Sequence, residues 1–130
     1  MTDSGENSKK SKQVEIVKEY RFEAAHLLTK VPPYHKCARL HGHSFRFEVR
    51  LTGIVDNELG WLIDFGDISS VVRPLVEILD HNYLNDIEGL GNPTSEIIAM
   101  WLWDRIKPSL PNLKEIVVHE TCSARCVYRG

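Results

Sequence analysis

Two stretches of alternating hydrophobicity, each carrying histidine in its apolar series, constrain this chain more than any other feature. Val14, Ile16, Tyr20, Phe22 and Ala24 share even parity, interrupted at Lys18, and His26 falls in the same series. From His41 onward the odd positions take over, through His43, Phe45, Phe47, Val49 and Leu51. Successive side chains of a strand point to opposite faces, so each set lies on one face, and both strands deliver histidine to it. Between them, Val31 to Arg39 contains Pro32 and Pro33 and holds no period. It reads as a loop carrying His35, Lys36, Cys37 and Arg39.

The rest of the chain changes period and then changes back. Gly53 and Asp56 to Gly60 supply turn chemistry, and Trp61, Leu62 and Ile63 read as an extension of the sheet. Over Phe65 to Leu79 the apolar residues Ile68, Val71, Val72, Leu75, Ile78 and Leu79 recur at helical spacing behind Asp64 as a cap, with Pro74 expected to kink or bound the helix. A loop from Asp80 to Asn92 follows. In Asn92-Pro93-Thr94-Ser95 a capping side chain precedes proline, which predicts a second helix starting there and running to Lys107. Leu113 to Thr121 alternates again, and Val127-Tyr128 returns as a short last strand after a Cys122 to Cys126 turn. Strands and helices in separate runs predict an α+β fold, an antiparallel four-stranded sheet with two helices on one face.

Size and charge narrow the function classes. At 130 residues there is room for one domain, placed at 13–130, after a polar stretch 1–12 expected to be a disordered tail. With 16 basic against 18 acidic residues the net charge is −2. That leaves no bulk positive field, so nucleic acid is not an expected partner. No apolar run reaches the roughly 18–20 residues that span a bilayer, and the N-terminal stretch lacks a signal peptide's apolar segment. The expectation is a cytoplasmic protein with no membrane contact. Three cysteines without export signals argue against a disulfide framework and leave metal binding or catalysis open.

His41-Gly42-His43 on a strand places two imidazoles on one side about 6–7 Å apart at Cα, which suits bonds of roughly 2.0–2.1 Å to one zinc ion, Zn2+. His26, of matching parity, offers a third nitrogen, and three protein ligands with a vacant fourth position is the catalytic zinc pattern. Taken singly, a histidine on an apolar strand face is ordinarily a core residue with satisfied nitrogens. Cys37, four residues before His41, also allows a closed structural site of one cysteine and three histidines, although a domain of this size does not need a metal to fold. Cys122 and Cys126 read as ordinary turn cysteines, and Trp101 and Trp103 as packing residues.

Five segments in order carry a more specific signal: Phe22-Glu23-Ala24-Ala25-His26; Cys37-Ala38-Arg39-Leu40-His41-Gly42-His43; Leu79-Asp80-His81-Asn82-Tyr83-Leu84-Asn85; Asn92-Pro93-Thr94-Ser95-Glu96; and His119-Glu120-Thr121. Over residues 14 to 130 the chain resembles the 6-pyruvoyl-tetrahydropterin synthase superfamily. The Cys-x3-His-Gly-His spacing and the Glu-Thr-Cys-x3-Cys-x-Tyr-Arg-Gly ending look like its bacterial 6-carboxy-tetrahydropterin synthase branch, which serves queuosine and deazapurine biosynthesis. The animal pyruvoyl synthases space Cys and His-Gly-His further apart and follow them with Asn-Tyr in place of Ser44-Phe45.

This resemblance implies a tunnelling fold whose sheets join into a barrel, a homohexamer built from two trimers, and a pterin triphosphate substrate. It implies a zinc-dependent lyase that turns 7,8-dihydroneopterin triphosphate into 6-carboxy-5,6,7,8-tetrahydropterin, acetaldehyde and triphosphate. By family correspondence His26, His41 and His43 hold the zinc and Cys37 accepts the substrate proton. His81 with Asp80 relays protons, and Glu120 anchors the pterin ring and joins the relay. Thr94 and Ser95 are further pterin contacts, and Lys36 and Arg39 meet the triphosphate. Two alternatives remain at this point: a 6-pyruvoyl-tetrahydropterin synthase, which eliminates triphosphate without losing carbon, and a non-catalytic zinc-stabilised binding module.

Overall fold

The two alternating stretches form β1 (Gln13–His26) and β2 (His41–Ile54), paired antiparallel from Gln13↔Ile54 to His26↔His41. That register puts the even residues of β1 opposite the odd residues of β2, so both apolar sets and all three histidines share one face. Phe22 stacks on Phe45 with ring centroids 4.9 Å apart, and Tyr20 stacks on Phe47 at 5.5 Å. The computed structural model describes residues 12–120 and 123–130. Residues 1–11 of the expected tail therefore lie outside the described residues. Lys12 is tied to the fold, its carbonyl accepting from the Val55 N–H at 3.0 Å.

Helix α1 (Phe65–Leu79) and helix α2 (Ser95–Ile106) cover that face. Ile68, Val72, Val76 and Leu79 of α1 and Ile98, Ala99, Leu102 and Ile106 of α2 join the inward residues of β1 and β2 in one core. Strand β4 (Leu113–His119) adds Ile116 and Val118. Asp64 caps α1, its Oδ1 accepting from the Gly66 N–H at 2.8 Å. Pro74 sits inside α1 without ending it. Ser70, four residues earlier, whose carbonyl Pro74 deprives of an amide partner, is exposed.

The α+β architecture matches the expectation, with one addition to the sheet. It has five strands in the order β3-β1-β2-β4-β5, the four expected ones being antiparallel. The fifth is β3 (Asn82–Tyr83), two residues paired parallel to Ala24 and Ala25 inside the segment read as a loop. Two residues are too short to show a period. Trp61, Leu62 and Ile63 form a bend rather than a strand, because Leu62 and Ile63 turn in to pack against the core. The cap of α2 is Thr94 rather than Asn92: Thr94 Oγ1 accepts from the Ile97 N–H at 3.1 Å. Asn92 is drawn away because its Oδ1 accepts from the Thr29 N–H. The last strand, β5 (Arg125–Tyr128), begins early enough to include Cys126. β4 ends at His119, and Thr121 and Cys122 lie outside the described residues. Trp101 and Trp103 are packing residues, Trp101 being 5% exposed and Trp103 lying edge-on to Tyr128.

Candidate active site

The β1–β2 register brings His26 and His41 directly opposite each other, and the strand period adds His43 on the same face. Ring centroids lie 4.5 Å (His26–His41), 4.7 Å (His41–His43) and 5.1 Å (His26–His43) apart. One ring nitrogen from each converges, all within 4.8 Å of one another. Cys37 does not belong to this converging group.

Backbone carbonyls orient two of the rings. His26 Nδ1 lies 2.8 Å from the Pro93 carbonyl and His41 Nδ1 lies 2.7 Å from the Arg39 carbonyl. Each Nδ1 therefore carries the donated hydrogen, which leaves Nε2 as a lone-pair donor. His26 Nε2 is buried and has no partner among the described residues. An unsatisfied buried nitrogen is costly. A cation at the cluster removes that cost, so the donor set fits a metal ion.

Burial pushes His26 below the ordinary histidine pKa, and His41 and His43 add to the effect against an opposing pull from the Pro93 carbonyl and Glu120. His43 is lowered too, first by burial and then by His41, with Glu120 opposing. Both stay neutral at physiological pH, the form that ligates metal.

Glu120 stands beside this cluster. Its Oε1 is 4.0 Å from His43 Nε2, and its Oε2 accepts from Ser95 Oγ at 2.9 Å. Ser95 is buried in the first turn of α2, which also supplies the dipole's positive end. The segment Pro93–Ser95 thus touches both the cluster, through the Pro93 carbonyl, and the carboxylate, through Ser95. Thr94, the intervening residue, is engaged as the helix cap.

On the other side of β1, Glu23 fastens Asp80 and His81. The Glu23 N–H donates to Asp80 Oδ1 at 2.8 Å, and the Glu23 carbonyl accepts from the His81 N–H at 2.5 Å. His81 has φ +57, a left-handed conformation that non-glycine residues seldom adopt. The clamp on Glu23 holds it there. Asp80 Oδ2 lies 2.9 Å from His81 Nδ1. Asp80 is held below its usual pKa by the Glu23 amide and then by His81, so it is ionised near neutrality and orients the imidazole. A groove of about 540 Å³ runs past Glu23, His43, Ser44 and His81.

Cys37 is a free, half-buried thiol in the short 3-10 turn Lys36–Ala38. His35 Nδ1 accepts from its N–H at 3.0 Å, and its carbonyl accepts from the Leu28 N–H. No hydrogen bond joins Cys37 to His81 among the described residues. On the same loop Lys36 and Arg39 are both exposed. The structure brings together His26, His41, His43, Glu120 and Ser95, with Ser95 bonded to Glu120; the sequence reading missed the carbonyl of Pro93 and the backbone of Glu23. Main-chain groups carry no residue-type signal.

Comparisons with known proteins bear on the chain as a whole. The family model described as 6-pyruvoyl tetrahydropterin synthase matches residues 15–130. A 6-carboxy-5,6,7,8-tetrahydropterin synthase of Synechocystis is 43% identical over 121 residues, covering 87% of this chain and 91% of that protein. A dihydroneopterin monophosphate aldolase of Pyrococcus furiosus is 38% identical over 96 residues, covering 74% and 77%. Among solved structures, 6-pyruvoyl tetrahydropterin synthase of Caenorhabditis elegans superposes with a TM-score of 0.84 at 25% identity, covering 91% of this chain and 96% of that one.

Proposed function

Because the chain belongs to the 6-pyruvoyl tetrahydropterin synthase family, we propose that it is the zinc-dependent lyase that converts 7,8-dihydroneopterin triphosphate into 6-carboxy-5,6,7,8-tetrahydropterin, acetaldehyde and triphosphate for queuosine (7-deazapurine) synthesis. The observation that carries the reading is the buried Nε2 of His26, without a partner among the described residues, in a three-histidine cluster, with the Glu120 carboxylate 4.0 Å from His43. A metal donor set and a ring anchor so close together suit a substrate with a pterin at one end and an oxygen-bearing side chain next to it.

His26, His41 and His43 would hold the zinc through neutral imidazoles. When bound, zinc supplies a Lewis acid that stabilises negative charge developing on side-chain oxygens. Glu120, fixed by Ser95, accepts hydrogen bonds from the pterin's ring nitrogen and amino group. Cys37 takes the proton from the side-chain carbon next to the ring. His81, oriented by ionised Asp80, returns and relays protons. Thr94 completes the pterin contacts, and Lys36 and Arg39, flanking Cys37 on its loop, meet the triphosphate.

A homohexamer belongs to the same reading. β3 pairs with only Ala24 and Ala25 on its side of β1, and among the described residues β5 pairs only with β4. Open edges of this kind are paired or covered in working proteins.

A second reading is favoured by the Pyrococcus relative: aldol cleavage of dihydroneopterin monophosphate. Incubation of the zinc form with each substrate separates the two. The lyase yields acetaldehyde and free triphosphate from the triphosphate, whereas the aldolase yields a two-carbon aldehyde that still bears phosphate. Retention of every side-chain carbon after triphosphate loss would reject both in favour of the pyruvoyl synthase.

A further inference from the structure

We infer that His119 is a positioning residue for the substrate anchor Glu120, working from the opposite face of the sheet; the inference rests on the pterin-anchoring role given above to Glu120. His119 is 8% exposed, and so is Glu48, its partner on β2. Both ring nitrogens of His119 are committed. Arg46 Nη2 donates to Nδ1 at 3.2 Å, and Nε2 lies 2.5 Å from Glu48 Oε2 and donates to it. These partners are themselves held. Arg46 Nη1 donates to Glu19 on β1 at 3.1 Å, Arg50 donates to Glu48 Oε1 through Nε and Nη2, and Arg50 Nη1 bonds Glu115 on β4. The imidazole is thus the node at which a charge network spanning β1, β2 and β4 grips the end of β4.

Arg46↔His119 is the last registered pair between β2 and β4. Past it, Glu120 has no ladder partner on β2, and its own N–H turns to the Ala124 carbonyl at 3.2 Å. Its direction therefore depends on the residue before it. Adjacent side chains of an extended chain point to opposite faces. With the His119 ring pinned on the side away from the helices, the Glu120 carboxylate is aimed to the helix side, where Ser95 and His43 stand. If that ring is released, β4 frays by a residue and the aim is lost, although no group touching substrate has been changed.

The test measures neopterin affinity by fluorescence on the zinc-loaded protein for His119→Ala, His119→Gln, Glu120→Ala and the double variant His119→Ala/Glu120→Ala. Zinc content and unfolding midpoint are recorded for each. His119→Ala is expected to weaken neopterin binding about tenfold with one zinc per chain retained. His119→Gln keeps a donor for Glu48 and is expected to restore affinity to within about threefold of wild type. The double variant is expected to bind no more weakly than Glu120→Ala alone, because residues acting through one contact are not additive. Unchanged affinity in His119→Ala while Glu120→Ala binds weakly, or additive losses in the double variant, would overturn the positioning role and leave the anchor assignment standing. Unchanged affinity in Glu120→Ala would overturn the anchor assignment and this inference with it.

Discussion

Removing the metal offers the sharpest check on the histidine cluster, because the structure sets the size of the effect. In the metal-free chain His26 Nε2 is a buried nitrogen without a partner among the described residues, at a cost of about 1–3 kcal/mol. A ligand that binds only the folded state at a hundredfold excess over its dissociation constant stabilises by about 2.7 kcal/mol. For a chain of 130 residues, each kcal/mol moves the unfolding midpoint by about 4 °C. Stripping the protein with a chelator should therefore lower the midpoint by about 10 °C, and stoichiometric zinc should restore it. The assay is scanning calorimetry with parallel elemental analysis, on wild type and on His26→Ala. His26→Ala should show no zinc-dependent shift. A midpoint that does not move when elemental analysis shows the metal gone, or a wild-type shift in His26→Ala, would refute the reasoning.

Individual side chains set the remaining expectations. Cys37→Ala should keep about one zinc per chain, since Cys37 stands outside the converging donors, while turnover falls about 10²-fold or more; loss of zinc from this variant would instead mark a closed structural site. Ser95→Ala removes the donor to Glu120 Oε2 and should weaken pterin binding by about 1 kcal/mol, read as a rise of several-fold in the dissociation constant. Phe47→Ala empties a fully buried site between Tyr20 and Phe22 and should cost about 3–5 kcal/mol in urea unfolding. Burial pushes the Glu48 carboxyl up, but hydrogen bonds from His119 and Arg50 outweigh it and hold the group below its ordinary value of 4.5. A depressed carboxyl stabilises the fold above its unfolded pKa, and that stability is lost as pH falls through the folded value. The gap in urea midpoint between wild type and Glu48→Gln should thus be full at about pH 7 and narrow as pH drops below about 4.5; a gap that does not narrow below about pH 4.5 would contradict it.

What the sequence determined by itself is the part of this protein written in period and spacing. Alternation placed His26, His41 and His43 on one face, because a strand of period two leaves no other arrangement once the hydrophobic residues choose their side. Helical spacing with Asp64 as cap located α1, and the five ordered motifs marked Cys37, Asp80, His81 and Glu120 as residues to watch. Tertiary structure decided whatever depends on groups distant in the chain or lacking residue identity. Asn92 was displaced as a cap because Thr29 claimed its side chain. β3 exists only because Ala24 and Ala25 offer it an edge. The orientation of His26 comes from the carbonyl of Pro93, 67 residues away, and the left-handed turn at His81 from the backbone of Glu23. The charge chain through Glu48 and His119 was also out of reach, since polar residues on the outward parity of a strand ordinarily face water. Only the lateral packing of β1, β2 and β4 brings these charges close enough to bury one another.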